Sequence, residues 1–203
     1  MIKFEDIIND KFTENVCENI KSSLIKTNIK DEILKLNHSH DRGGGKYGFK
    51  HGIITEETFI KCYNELNLDN KLYKLNEIVE WSNRLDCKWG DLYLTTEDYV
   101  LFIDLKVATD STYLAGCISE TSYKYFTDFD IKEDYDFKIK ENVIKNKSIF
   151  KAWLCTDVSM QKFYFINAKS VKLNLKNIKM KQLNGESFIC VQDLTIPKMR
   201  IIK

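Results

Sequence analysis

Two apolar runs separated by four polar residues constrain this chain more than any other feature. Leu92-Tyr93-Leu94 and Tyr99-Val100-Leu101-Phe102-Ile103 flank Thr95-Thr96-Glu97-Asp98, which reads as a short hairpin connection. The second run does not alternate with polar residues, so it predicts a strand apolar on both faces, in the middle of a covered sheet. Asp104 and Lys106 nevertheless extend that run. Side chains alternate along a strand, which puts Asp104 and Lys106 on one face and Leu105 on the other. A charge there is costly unless it is paired or bound to a metal. Asp91 stands where the first strand begins, and the hairpin can bring it beside Asp104. Two carboxylates and a lysine on one face suit a hard divalent cation and a water held against a phosphate, the chemistry of metal-dependent phosphodiester hydrolysis. The competing reading is a solvated strand face with Asp104 and Lys106 in a weak surface ion pair.

Gly90-Asp91 and Asp104-Leu105-Lys106 resemble the PD-(D/E)xK nuclease superfamily, whose signature is an acidic residue on one strand and (D/E)-x-K on the next. Gly-Asp stands here for Pro-Asp, a common variant. The resemblance covers about Leu72 to Ala168. It implies an α/β (α+β) fold with a restriction endonuclease-like core: a central mixed sheet flanked by helices, in the order α-β-β-β-α-β. It also implies that Asp91 and Asp104 bind Mg²⁺ (or Mn²⁺), and that Lys106 orients the attacking water and stabilises charge on the phosphate. A helix before the sheet often donates a further carboxylate in this superfamily. Glu80 is the first choice for it, with Glu77 and Glu65 as alternatives. The first strand of the core is hard to place between Leu85 and Trp89.

At 203 residues the chain suits one domain, with a helical N-terminal region over 1–54 and the core over 55–203. A hydrophobic fraction of 43% supports a real core and argues against disorder. The net charge of +1 leaves room for a basic cleft but not for a general polycationic binder. Six cysteines (Cys17, Cys62, Cys87, Cys117, Cys155, Cys190) are dispersed without a C-x-x-C pair, which excludes the usual zinc spacing and predicts reduced thiols in a cytoplasmic protein. No apolar run approaches about 18 residues, so no membrane span is expected.

Residues 1–36 have helical periodicity, with Thr13 as a cap and Val16, Ile20, Leu24 and Ile25 on one face. All three histidines (His38, His40, His51) and five of the eight glycines fall between Asn37 and Gly52. Three readings stay open for this stretch. It is a polar surface loop, a phosphate-contacting segment using Arg42, Lys46 and Lys50, or a histidine metal site. Thr55-Glu56-Glu57-Thr58 opens a capped helix to about Leu66, and Leu72 to Leu85 reads as a second helix. After Thr109-Asp110-Ser111-Thr112, which could line the cleft, Tyr113 to Phe126 reads as a helix, and Asp128 to Lys147 as a loop or solvated helix. Phe150–Cys155 and Lys162–Ala168 read as strands, and Phe188–Val191 and Met199–Ile202 as closing strands. The lysine-rich stretch Lys169 to Lys181, including Lys176, either follows phosphates or guards a strand edge.

These readings lead to one expectation: a Mg²⁺-dependent endonuclease of the restriction type, a homodimer acting on double-stranded DNA. Its alternatives are a resolvase-like or phage-type nuclease of the same superfamily and a catalytically silent nucleic-acid-binding module.

Overall fold

The computed structural model describes residues 2–7, 56–57, 59–61, 63–64, 71–80, 83–108, 117–157, 163–173, 180–183, 186–190 and 200–202. The helical expectation for 13–36, the glycine- and histidine-rich segment with Arg42 and Lys46, Glu65, Thr109 to Thr112, and Lys176 lie outside the described residues.

A mixed six-stranded sheet organises the chain in the order β1-β2-β3-β5-β6-β9. Its strands are β1 (Leu72–Lys74), β2 (Leu92–Thr95), β3 (Tyr99–Ala108), β5 (Ser148–Asp157), β6 (Phe163–Asn167) and β9 (Arg200–Ile202). All neighbours are antiparallel except β3 and β5, which run parallel from Tyr99↔Ser148 to Ala108↔Asp157. A smaller antiparallel sheet joins β4 (Cys117–Ser119), β8 (Glu186–Cys190) and β7 (Met180–Leu183). The helices are α1 (Phe4–Ile7), α2 (Asn83–Trp89), α3 (Glu120–Phe126), α4 (Asp134–Ile139) and α5 (Ala168–Leu173), and α4 runs on into a π turn at Lys140–Ile144. The described residues between 56 and 64 are also helical. The chain is therefore α/β, and among the described residues no helix is long and apolar enough to cross a membrane.

Strand β3 is packed on both sides, as its uninterrupted apolar run requires. Leu101 and Ile103 join Leu92, Leu94, Ala152, Leu154 and Phe165 under Phe4, Phe59 and Tyr63. Val100 and Phe102 point the other way, against Leu85 and Trp89 of α2 and Ile139, Val143 and Ile144. Because the fold must fill both layers, Leu72 to Leu85 is not one helix. Leu72 packs into the first layer while Leu75 and Val79 pack into the second. The missing first strand is thus Leu72–Lys74, and Cys87 to Trp89 are helical. Tyr113 to Phe126 is likewise divided: Cys117–Ser119 is a strand, and helix begins at Glu120. The charge-rich 128–147 region buries Ile139, Val143 and Ile144, whose spacing is masked in sequence by the charges around them.

A buried polar network ties these pieces together. Lys88 Nζ donates to Asp136 Oδ2 at 2.6 Å and to Asp130 O at 2.7 Å, and Trp89 Nε1 donates to Asp136 Oδ1 at 2.6 Å. Main-chain N–H groups of Lys132 and Glu133 also donate to Asp136 Oδ2, at 2.9 and 3.0 Å. Burial alone would raise the Asp136 pKa, but these donors outweigh it and hold the carboxyl below its usual range. Lys151 on β5 donates to Lys88 O at 2.7 Å and Asp128 O at 2.6 Å, with its ammonium 4.0 Å from the Trp89 ring centre.

At the β1 edge, the Asn64 side chain imitates a strand. Its Nδ2 donates to Leu72 O at 3.2 Å, and its Oδ1 accepts from Leu72 N–H at 3.0 Å.

Removing one member of a buried pair leaves an uncompensated charge, so Asp136→Ala is expected to cost about 3–5 kcal/mol. Urea denaturation checks this. Adding Lys88→Met to that variant should recover part of the loss, because the stranded ammonium goes with it.

Candidate functional site

The site forms just before β2 begins, where β3 runs on past its partner. Helix α2 ends at Trp89, and Gly90 N–H still donates to Asp86 O at 2.9 Å. Gly90 then adopts φ +79°, the left-handed conformation that closes many helices and that glycine takes without strain. A Cβ at this position would lie 2.7 Å from Ile103 O, so close approach to β3 also requires glycine. This turn delivers Asp91 to β3. Its N–H donates to Ile103 O at 3.0 Å, and its carbonyl accepts from Leu75 N–H at 3.0 Å. Its Oδ2 accepts from Leu105 N–H at 2.9 Å, so a carboxylate replaces the main-chain partner that a longer β2 would supply.

Asp104 is 2% exposed on β3. Lys106 Nζ pairs with its Oδ1 at 2.6 Å, as two residues on one strand face permit. Ser122 Oγ, from α3, donates to its Oδ2 at 3.2 Å. The fields of these groups overlap. Burial first, and then the Asp104 charge, hold the Asp91 carboxyl well above the usual range, with Lys106 opposing. Burial alone would lower Lys106, but Asp104 and Asp91 raise it above the ordinary lysine value.

Two more carboxylates reach this cluster. Glu56 is pushed up to about 7, chiefly by burial; Lys74 and Lys106 oppose this while Asp86 and Asp104 add to it. Asp86, on α2, adds its negative field at Glu56, Asp91 and Lys106. Burial pushes the half-buried Cys87 thiol up, and Asp86, Asp104 and Asp91 act in the same direction. Glu77 and Glu80 are exposed beyond β1. Glu56 and Asp86, rather than Glu80, are the additional carboxylates acting on Asp91. Glu56 lies in the segment Thr55-Glu56-Glu57-Thr58 that reads as a helix opening, without being marked as a site residue, and Asp86 stands four residues before the closing glycine. Neither spacing revealed that both act on Asp91, and no sequence signal pointed to Ser122.

Buried oxygen donors and an excess of carboxylate over ammonium suit a hard cation. Among the described residues, no three His, Cys, Asp or Glu side chains stand ready to enclose an ion. Mg²⁺ is commonly held by one or two carboxylates, with waters and substrate phosphate completing its shell, so the Asp91–Asp104 pair fits that mode. Comparison of the chain with family models, characterised proteins and solved structures gives no significant match.

Gly90→Ala should lower stability by about 1–3 kcal/mol, because the new methyl meets main chain that cannot move aside and φ is strained. Denaturation midpoints test this. For Glu56 the folded-state pKa is raised, so the folded chain binds the extra proton between the ordinary value of 4.5 and about 7. Stability contributed by this group is therefore lost as pH rises through that window. Glu56→Gln should flatten the fall in urea midpoint between those two pH values; an unchanged slope would place the titration elsewhere.

Proposed function

We propose that the chain is a metal-dependent DNA endonuclease with Asp91, Asp104 and Lys106 as its catalytic cluster. The observation that carries this reading is the convergence of Asp91, from the end of α2, with the Asp104–Lys106 pair on β3. The element order gives further support. Helical residues before β1, three antiparallel strands, a crossover containing α3, and β5 parallel to β3 follow the α-β-β-β-α-β order of the superfamily that these motifs resemble.

Asp91 and Asp104 would hold Mg²⁺ (or Mn²⁺), which when bound polarises the phosphate and acidifies water. Asp91 would be fixed for this role by the Leu105 N–H on Oδ2, with Oδ1 as the oxygen to bind the metal. Lys106, with a side chain 28% exposed, can turn its ammonium toward a phosphate oxygen and stabilise the charge that develops there. Glu56, titrating near neutrality, is suited to take a proton from the attacking water. Double-stranded DNA, restriction-type cleavage and a homodimer belong to this proposal, since cutting both strands calls for two sites related by two-fold symmetry.

One observation favours a second reading. Lys106 and Asp104 neutralise each other at 2.6 Å, as they would in a silent binding module that keeps the fold. Plasmid and oligonucleotide duplexes incubated with Mg²⁺ or with EDTA separate the two. Cleavage should require the metal, and Asp104→Ala should abolish it. Lys106→Ala should slow it by about 10²–10³-fold. Both variants should keep duplex affinity in Ca²⁺. Metal-independent cleavage, or full activity in either variant, would rule out the assignment.

A further inference from the structure

We infer that Ser122 is the positioning residue of Asp104: its hydroxyl fixes the plane of the carboxylate and thereby which lone pairs face the cleft. This rests on the reading of the cluster as a metal-dependent phosphodiester-cleaving site. A carboxylate rotates about its last torsion with only a broad preference, so its plane must be set from outside. Here its two oxygens have different donors: Lys106 on Oδ1 at 2.6 Å and Ser122 on Oδ2 at 3.2 Å. The lysine is a flexible, partly exposed side chain that leaves Asp104 whenever it turns to a phosphate. Ser122 is 6% exposed, so its contact persists through such a movement and it touches no substrate itself.

The rest of α3 is built to keep that hydroxyl in place. Ser119 Oγ accepts from Ser122 N–H at 3.1 Å, which fixes the first turn. Next to Ser122, the Tyr123 ring stacks on Trp153 with centres 6.1 Å apart and planes 13° apart. One turn after Ser122, Phe126 packs on the same indole at 4.9 Å. Trp153 is the residue paired with Asp104 across the β3–β5 ladder. The helix that carries the donor is thus registered against the strand neighbour of the acceptor.

The closing experiment compares wild type with Ser122→Ala and with the isosteric pair Ser122→Thr and Ser122→Val, so that a packing defect in one variant cannot obscure the answer. Mn²⁺ affinity is read by calorimetry, the Mg²⁺ dependence of duplex cleavage by kinetics, and the fold by thermal melting. Loss of a donor that orients a metal-binding carboxylate typically weakens metal binding about 10–100-fold. Ser122→Ala and Ser122→Val should show that loss, with duplex affinity in EDTA unchanged, while Ser122→Thr stays near wild type. If wild type binds Mn²⁺ and cleaves, but Val and Thr variants behave alike, the positioning role is overturned and the nuclease reading stands. If wild type neither binds Mn²⁺ nor cleaves, the nuclease reading fails and this inference falls with it.

Discussion

The arrangement of this protein follows from a carboxylate held on a strand that has no solvated face. Asp104 extends β3 beyond Val100 and Phe102, whose side chains are wholly enclosed. Taking an ion out of water costs several kcal/mol even after a protein relaxes around it. The compensation comes from Lys106 on the same strand and Ser122 on α3. It is available only because β2 begins late, at Leu92 opposite Ile103. Past Leu92 no strand among the described residues adjoins β3 on that side, and without Asp91 the Leu105 N–H would lack this partner. Asp91 supplies one with its side chain. Termination of a ladder and assembly of a polar site are here one event, and Gly90 makes it possible by bringing the chain against Ile103.

A second concentration of charge lies deeper, where Lys88, Asp136, Trp89 and Lys151 meet between β5, α2 and α4. Its chemistry differs from that of the site. Each ammonium has a main-chain carbonyl acceptor as well as a carboxylate or an aromatic face. Such a network is satisfied within itself and acts as a spacer. It holds Trp89 against Phe102 with ring centres 4.8 Å apart, and Trp89 is the residue before the glycine turn that aims Asp91. The contrast is instructive. One cluster holds its charges on fixed acceptors and is closed, while in the other burial, with neighbouring carboxylates adding to it, raises Asp91 and Glu56.

Sequence patterns revealed strands whose environment is uniform along their length. The β2–β3 hairpin, β5 and β6 were readable because their apolar runs are continuous or alternate cleanly. Leu72 to Leu85 was not, since residues spaced like one helical face serve opposite layers of the sheet. The pairing of Asp104 with Lys106 was visible because a two-residue spacing is a local geometric fact. Convergence of Glu56, Asp86 and Ser122 was not, since it depends on how helices from three separate stretches pack on the sheet. Only tertiary structure holds that information. A lone serine or a first-turn glutamate carries no mark of it.

The side-chain amide of Asn64 occupies both main-chain groups of Leu72 at the outer edge of β1. A bare edge strand invites another chain to add itself to the sheet, which is a common route to unintended association. With Leu72 already engaged, that route is obstructed at the first residue of the strand. Two copies of this chain meeting at the β1 edge would have to displace the asparagine before their sheets could merge. Any symmetric pairing that keeps Asn64 in place must therefore use surfaces other than a continuous sheet through β1.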